Sequence, residues 1–252
     1  MEAKSNQAAA AILGLLVAMG LTAAGYFVST TLYKARLASN TVTVKGFAER
    51  DVKADLALWQ ITYSMTGGDL KTLYAQSSGN ENALTGFLVQ KGFSKEEIKA
   101  GTLQVTDLLA NQYRSNAISE SQRYVISNTI TVRSNNVALA EQSTHALNDL
   151  VKQGIVLTAN SVNYQFTKLN DIKAPMLRDA TQNARGAAQQ FANDAGSKVG
   201  SIQSANQGFF SVDSRDSNAA QASGGEGYTP PQPSTIDKKV RVVVTLTYYL
   251  ER

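Results

Sequence analysis

From Ala8 to Val28 the sequence reads AAAAILGLLVAMGLTAAGYFV, and no charged residue occurs between Lys4 and Lys34. About 20 apolar residues in a row are enough to span the hydrocarbon core of a bilayer. A helix buried in a soluble core keeps a polar stripe, and this stretch has none. It is read as an N-terminal membrane helix, which assigns residues 1–38 to a tail and anchor and residues 39–252 to a separate domain. A cleavable export signal is the competing reading, because Ala18-Met19-Gly20 and Thr22-Ala23-Ala24 both put small residues near cleavage spacing. Apolar character that continues to Tyr26-Phe27-Val28, with Tyr33, Lys34 and Arg36 beyond it as an interfacial anchor, favours retention. Ala10, Gly14, Ala18 and Thr22 recur every four residues, forming a small-residue face of the kind that lets membrane helices pack closely. Charge alone does not fix orientation, since Lys4 and the amino terminus face Lys34, Arg36 and Lys45 across the segment.

The whole chain, 252 residues with 43% hydrophobic content, suffices for one or two cores without a metal or disulfide. The absence of cysteine removes disulfides, thiolate catalysis and thiolate metal sites from consideration. The net charge of +4 is spread along the chain rather than clustered, which argues against a nucleic-acid surface. The densest basic run, Lys238-Lys239-Val240-Arg241, lies in an alternating segment, so Lys239 and Arg241 share one solvated strand face.

After Thr41 the hydrophobic period switches repeatedly between two and about 3.6, the mark of a mixed α and β domain. Ala57, Trp59, Ile61, Tyr63 and Met65 alternate with polar residues and predict a strand with one core face. The same rhythm returns in Tyr124, Ile126, Ile130 and Val132, in Val162, Tyr164 and Phe166, and in Val240, Val242, Val244, Leu246 and Tyr248. The fold class is therefore α+β: a transmembrane helix, then a mixed, largely antiparallel sheet with helices on one face. Leu70, Leu73, Tyr74, Leu84, Phe87 and Leu88 predict a helix capped by Asp69 and closed by Gly92. Ser94-Lys95-Glu96-Glu97 reads as a capping box opening a short helix that ends near Gly101. Val137, Ala140, Leu147, Leu150 and Val151 predict another helix, closed by Gly154. The echo between LVQKG (Leu88 to Gly92) and LVKQG (Leu150 to Gly154) suggests two related strand–helix–strand halves. A last helix carries Leu177, Ala180, Ala184, Ala188, Phe191 and Ala195 on one face, with Pro175 in its first turn and Gly196 after its end. Arg178, Gln182, Arg185 and Gln189 line its outer side, which makes it a packing helix. Residues 214–235 hold three prolines and almost nothing apolar, and are read as a long mobile loop.

His145 is the only histidine. Glu141 and Asp149 lie four residues to either side of it, but there is no GxSxG elbow to complete a triad. Gly224-Gly225-Glu226-Gly227 lacks phosphate-loop spacing, and Asp213, Asp216 and Asn218 miss the EF-hand pattern. The expectation is no catalytic residue, no metal and no cofactor.

Three stretches carry a family resemblance. VTVKGFAERDVKADLALWQITYSMTG resembles the opening strands of the SIMPL-domain family, which includes YggE-like and periplasmic immunogenic proteins. Gly46 matches the first glycine of its motif, Ala48 replaces the second, and Ala54-Asp55 stands for Pro-Asp. ISNTITVRSNNVALAEQSTHALNDLVKQG resembles the family's central strand and helix, and LRDATQNARGAAQQFANDAGSKVGSI its late Ala-rich helix. The resemblance covers about Thr41 to Leu250. It implies an α+β domain exported from the cytoplasm, often self-assembled into rings or larger oligomers. The expected protein is a single-pass bacterial inner-membrane protein with its domain in the periplasm. Its partners are the bilayer, through residues 8–28, and copies of itself, with no nucleic acid. The alternative is an envelope domain that binds or processes a small molecule or peptide through carboxylates and hydroxyls gathered by the fold.

Overall fold

The computed structural model describes residues 2–37, 40–110, 119–215 and 234–251, with side chains of the first helix described from 14 to 31. That helix, α1, runs Glu2–Leu37. The rest is α+β, and the chain divides into two compact units. One comprises Met1–Ala48, Pro175–Phe210 and Val242–Arg252; the other comprises Glu49–Ala174 and Ser211–Arg241.

The second unit is built on a five-stranded sheet. Its central strand is β2 (Leu56–Gly67), flanked by β5 (Tyr124–Ser134) and β6 (Leu157–Gln165), both antiparallel to it. Two short strands, β3 (Ile98–Ala100) and β4 (Gln104–Asp107), follow one another along the outer side of β5. Helix α2 (Leu70–Lys91) joins β2 to β3, and helices α3 (Val137–His145) and α4 (Asn148–Lys152) join β5 to β6. Each strand–helix–strand half thus leaves room for a strand of the other between its own two, the split βαβ arrangement of ferredoxin-like sheets. The alternating row predicted on β2 is the core: Ala57, Trp59, Ile61 and Tyr63 are buried, packed with Ile130 and Val132 of β5 and Leu84, Phe87 and Leu88 of α2. Burying each large apolar side chain stabilises by about 1.5–3 kcal/mol. Two polar tips in this core have partners. The Trp59 indole N–H donates to Asn160 Oδ1 at 2.7 Å, and the Tyr63 hydroxyl donates to the Ser77 carbonyl at 3.1 Å.

The echo in the sequence has a local cause. In LVQKG, the N–H groups of Gly92 and Phe93 reach back to the carbonyls of Val89 and Leu88. In LVKQG, those of Gly154 and Ile155 reach Val151 and Leu150 in the same pattern. Both glycines hold positive φ, 109° and 87°, as this helix ending requires. In each case the residue after Gly, Phe93 or Ile155, is buried along with the leucine, as the motif's apolar contact demands.

Several local expectations change. Ser94–Glu97 closes half of a capping box, with the Glu97 carboxylate accepting from the Ser94 N–H at 2.8 Å, but the chain then enters β3. Pairing with β5 prevails, beginning where the Arg133 N–H donates to the Glu97 carbonyl. The single helix expected over Val137–Val151 breaks at Ala146-Leu147, where Ala146, Leu147, Asp149 and Leu150 bond three residues back rather than four. On α2, Leu70 and Tyr74 face solvent, and the buried row is Leu73, Ser77, Leu84 and Leu88. Ser77 can occupy it because its carbonyl and hydroxyl both meet Tyr63.

The first unit contains the leading part of β1 (Thr41–Lys53), β7 (Lys198–Gln207), the trailing part of β9 (Asp237–Glu251) and most of α5 (Leu169–Asp194). β9 lies between β1 and β7. Val242, Val244, Leu246 and Tyr248 are buried, as their alternation predicted. Helix α5 starts earlier than its proline suggested, so Pro175 lies inside it. Its buried face is Met176, Ala180, Ala184, Ala188 and Ala192, at a strict spacing of four; of the two residues expected to anchor its ends, Leu177 is half-buried and Phe191 exposed, and Ala195 is exposed as well. The alanines bring the helix close to β1, where a Cβ placed on Gly46 would overlap Ala180 and Ala184. Most of the expected loop 214–235, including Asp216, Asn218 and Gly224–Gly227, lies outside the described residues.

Candidate functional site

Helix α1 carries an 18-residue apolar run, Gly14–Thr31, none of it buried among the described residues. Leu15, Leu16, Leu21, Tyr26 and Phe27 are all exposed. Its hydroxyls are satisfied within the helix: Thr22 donates to the carbonyls of Ala18 and Met19, and Thr30 to those of Tyr26 and Phe27. The segment therefore carries no unsatisfied threonine hydroxyl, as a lipid environment demands. This single apolar helix fits a membrane anchor or an export signal. Gly14, Ala18 and Thr22 lie at helical spacing on exposed surface, and the side chains of Ala10, Tyr33, Lys34 and Arg36 lie outside the described residues.

A second feature lies at the end of the five-stranded sheet. β6 is its terminal strand, and the Tyr164 N–H points away from β2, donating to Ser234 Oγ at 2.9 Å. Backbone groups alternate along an antiparallel ladder, so Val162 and Asn160 also direct N–H and C=O outward. Beside this edge runs a groove of about 710 Å³, lined by Gln60, Asn160, Ser161 and Asn163 of the sheet, Glu141 and Thr144 of α3, and Ser234. A smaller cavity of about 310 Å³ touches Asn163, Tyr164, Phe166, Val212 and Lys238.

Lys238 is the unusual residue here. It is 7% exposed and sits in phase with Val240, Val242 and Val244 on the inward row of β9. It lies opposite Ser214 of β8 (Ser211–Ser214). Its Nζ reaches the hydroxyls of Ser234 at 3.2 Å and Ser214 at 3.5 Å. No carboxylate among the described residues lies within ion-pair distance of it. Burial pushes its pKa down, and the more distant charge of Asp213 only partly opposes this. Burying a cation without a counter-charge is costly, so such a site favours an anionic partner or a neutral amine.

The sequence candidates disperse. His145 is exposed at the last position of α3, and Asp149 pairs with Lys152 at 3.0 Å beyond the helix break. Lys239 and Arg241 share the outward face of β9, where both reach Glu49, at 3.9 and 3.4 Å. Among the described residues no three metal-ligating side chains converge. Sequence reading missed Lys238, although its signal was present: it is the residue of that basic run in register with the buried valines.

Asp55, which stands in the turn between β1 and β2, is a structural clamp. Burial pushes its carboxyl up, but the Thr167 N–H at 2.6 Å and hydroxyl at 2.8 Å outweigh this and hold it below its ordinary value.

No curated protein matches the chain. The SIMPL family model, described as "Protein of unknown function (DUF541)", matches residues 42–248. That span includes both units' sheets and leaves α1 outside; the chain belongs to the SIMPL family.

Proposed function

We propose that this is a single-pass protein of the bacterial inner membrane, held by α1, with its SIMPL domain in the periplasm, self-associating into a ring or larger homo-oligomer and acting without catalysis. The observation that carries the reading is the apolar run Gly14–Thr31, whose side chains the described residues leave uncovered. Lipid is the medium that removes such a surface from water. Self-association is supported by apolar side chains presented on one unit: Phe209 is 101% exposed, and Ile202 on β7 and Phe191 on α5 are also open. β7 also ends the order β1-β9-β7, which offers a strand edge to a neighbour.

Fractionation tests the tether. The protein should stay in the membrane pellet through high salt and alkaline carbonate, and its intact mass should include residues 8–28. Added protease should digest the domain in spheroplasts, where only the periplasmic face is accessible. A soluble mature chain starting near Gly25 would refute the anchor. Light scattering of the detergent-solubilised full chain tests assembly: a monomer at micromolar concentration would refute it. Gly14→Ile should preserve insertion while lowering oligomer size if the helix faces pack.

A further inference from the structure

We propose that the free edge of β6 binds an extended peptide segment as an added parallel strand, with the peptide's C-terminal carboxylate received by Lys238 and Ser234. The inference goes beyond tethering and self-association, and it uses neither α1 nor β7.

The geometry sets both the direction and the end of the bound strand. Outward backbone groups of Asn160 and Val162 face the groove, and among the described residues no strand pairs with them. At the next outward position, Tyr164, the N–H is already taken by Ser234 Oγ. A strand added along Asn160 and Val162 must therefore stop there. Ser234 Oγ is 3.2 Å from Lys238 Nζ, so the stopping point lies beside a buried ammonium. For the carboxylate to meet that ammonium, the peptide's C-terminus must lie at the Tyr164 end, which makes it run parallel to β6. Main-chain bonds to an exposed sheet edge supply sequence-tolerant affinity in other peptide-binding domains, and capture of a terminal carboxylate fixes register.

Charge complementarity favours this occupant. Lys238 has three donors, its two contacts among the described residues are neutral hydroxyls, and its surroundings are desolvated. A carboxylate would supply the missing counter-charge through a charge-assisted bond. The groove is also lined by Glu141, with Gln60, Thr144 and Ser161. That carboxylate disfavours a second acidic group in the ligand and favours polar or basic side chains.

Fluorescence polarisation on the full-length protein in detergent tests the proposal. The probes are a pool of fluorescein-labelled hexapeptides randomised at every position, made with a free C-terminus, with a C-terminal amide, and with backbone N-methylation. The free acid should bind about 10-fold or more tighter than the amide, the range of one charge-assisted hydrogen bond. N-methylation should weaken both. Lys238→Met should erase the acid-over-amide preference, and Lys238→Arg should retain part of it. Val162→Pro removes an outward N–H and is tolerated on an edge strand, so it should weaken acid and amide together. Unchanged circular dichroism establishes that each variant folds.

Equal binding of acid and amide, or a preference that survives Lys238→Met, would overturn the carboxylate site. Tolerance of N-methylation, or full competition by free acetate, would overturn strand addition. If no pool binds and Val162→Pro instead reduces oligomer size, the β6 edge joins copies of the chain and the proposal is wrong. Absence of peptide binding by the wild-type protein, with its membrane retention and oligomer size intact, would refute this inference alone.

Discussion

Gly46 is the residue through which the approach of α5 to β1 can be measured. Its φ is negative, so alanine is allowed there by backbone conformation; the obstacle is space. A Cβ at Gly46 would lie 2.6 Å from Ala184 Cβ and would also overlap the Ala180 carbonyl oxygen and the Ala184 nitrogen. Carbon atoms rest about 3.5–4.0 Å apart, so α5 would have to retreat by about 1 Å. A gap of that size forfeits about a quarter to a half of each contact across it. The side chains that would lose contact include Met176, Ala180, Ala184, Ala188 and Ala192, all at most 1% exposed. Overpacking costs about 1–3 kcal/mol, and backbone atoms on the far side of the contact put Gly46→Ala at the upper end, about 3 kcal/mol. For a chain of this size that lowers Tm by about 6–12 °C. The matched control is Gly186→Ala in the same helix, where an added Cβ meets nothing within 4 Å. It should instead stabilise by about 0.5–1 kcal/mol, because an exposed glycine inside a helix is less favourable than alanine. Far-UV circular dichroism melts of the full chain at fixed detergent concentration read both. A Gly46→Ala melt indistinguishable from wild type, or the same sign for both variants, would refute the close approach.

Gly92→Ala and Gly154→Ala should each destabilise by about 1–2 kcal/mol, because both positions hold left-handed φ; denaturant midpoints measure this, and an unchanged midpoint for either would contradict the helix ending described. Asp55 has a lowered folded pKa, so its contribution is present above its unfolded pKa near 4 and is lost as pH falls through the folded value. Thr167→Val, which deletes one of the bonds lowering it, should shift the acid-unfolding midpoint to higher pH while leaving the neutral-to-alkaline profile flat. Lys238→Met should raise stability at neutral pH, where a buried cation is unfavourable, and remove the gain the wild type shows as pH rises towards the ordinary lysine pKa.

The strands were legible because a sheet covered on one face writes its burial at period two. Trp59, Ile61 and Tyr63 on β2, and Val242, Val244 and Leu246 on β9, needed no tertiary information. The two Gly-closed helix ends were equally local, since each is settled within six residues. What could not be read depended on distant partners. Ser94–Glu97 carries a helix signal that the edge of β5 overrides, and β1 and β2, consecutive in sequence, go to different sheets. On α5, the spacing of Phe191 fits an apolar face and predicts an anchor. The actual contact line follows Met176 and four alanines, chosen by how closely β1 approaches. Lys238 was hidden because its neighbours Lys239 and Arg241 explain the charge run, whereas its burial depends on β8.

The partner of β1 lies far away along the chain: Thr43 touches Thr247 across 204 residues, and the Asn40 carbonyl accepts from the Leu250 N–H. The β2-to-β6 sheet, by contrast, is contiguous from Leu56 to Gln165. In a chain emerging amino-end first, that central sheet can close while β1 still awaits β9, leaving an unpaired strand next to the apolar helix throughout synthesis. A stop anywhere before Val242 would leave that strand without its mate, so truncation products should be the species that aggregate or recruit chaperones. The charges that alternate along β1, Lys45, Glu49 and Asp51, are suited to guarding a waiting edge of this kind.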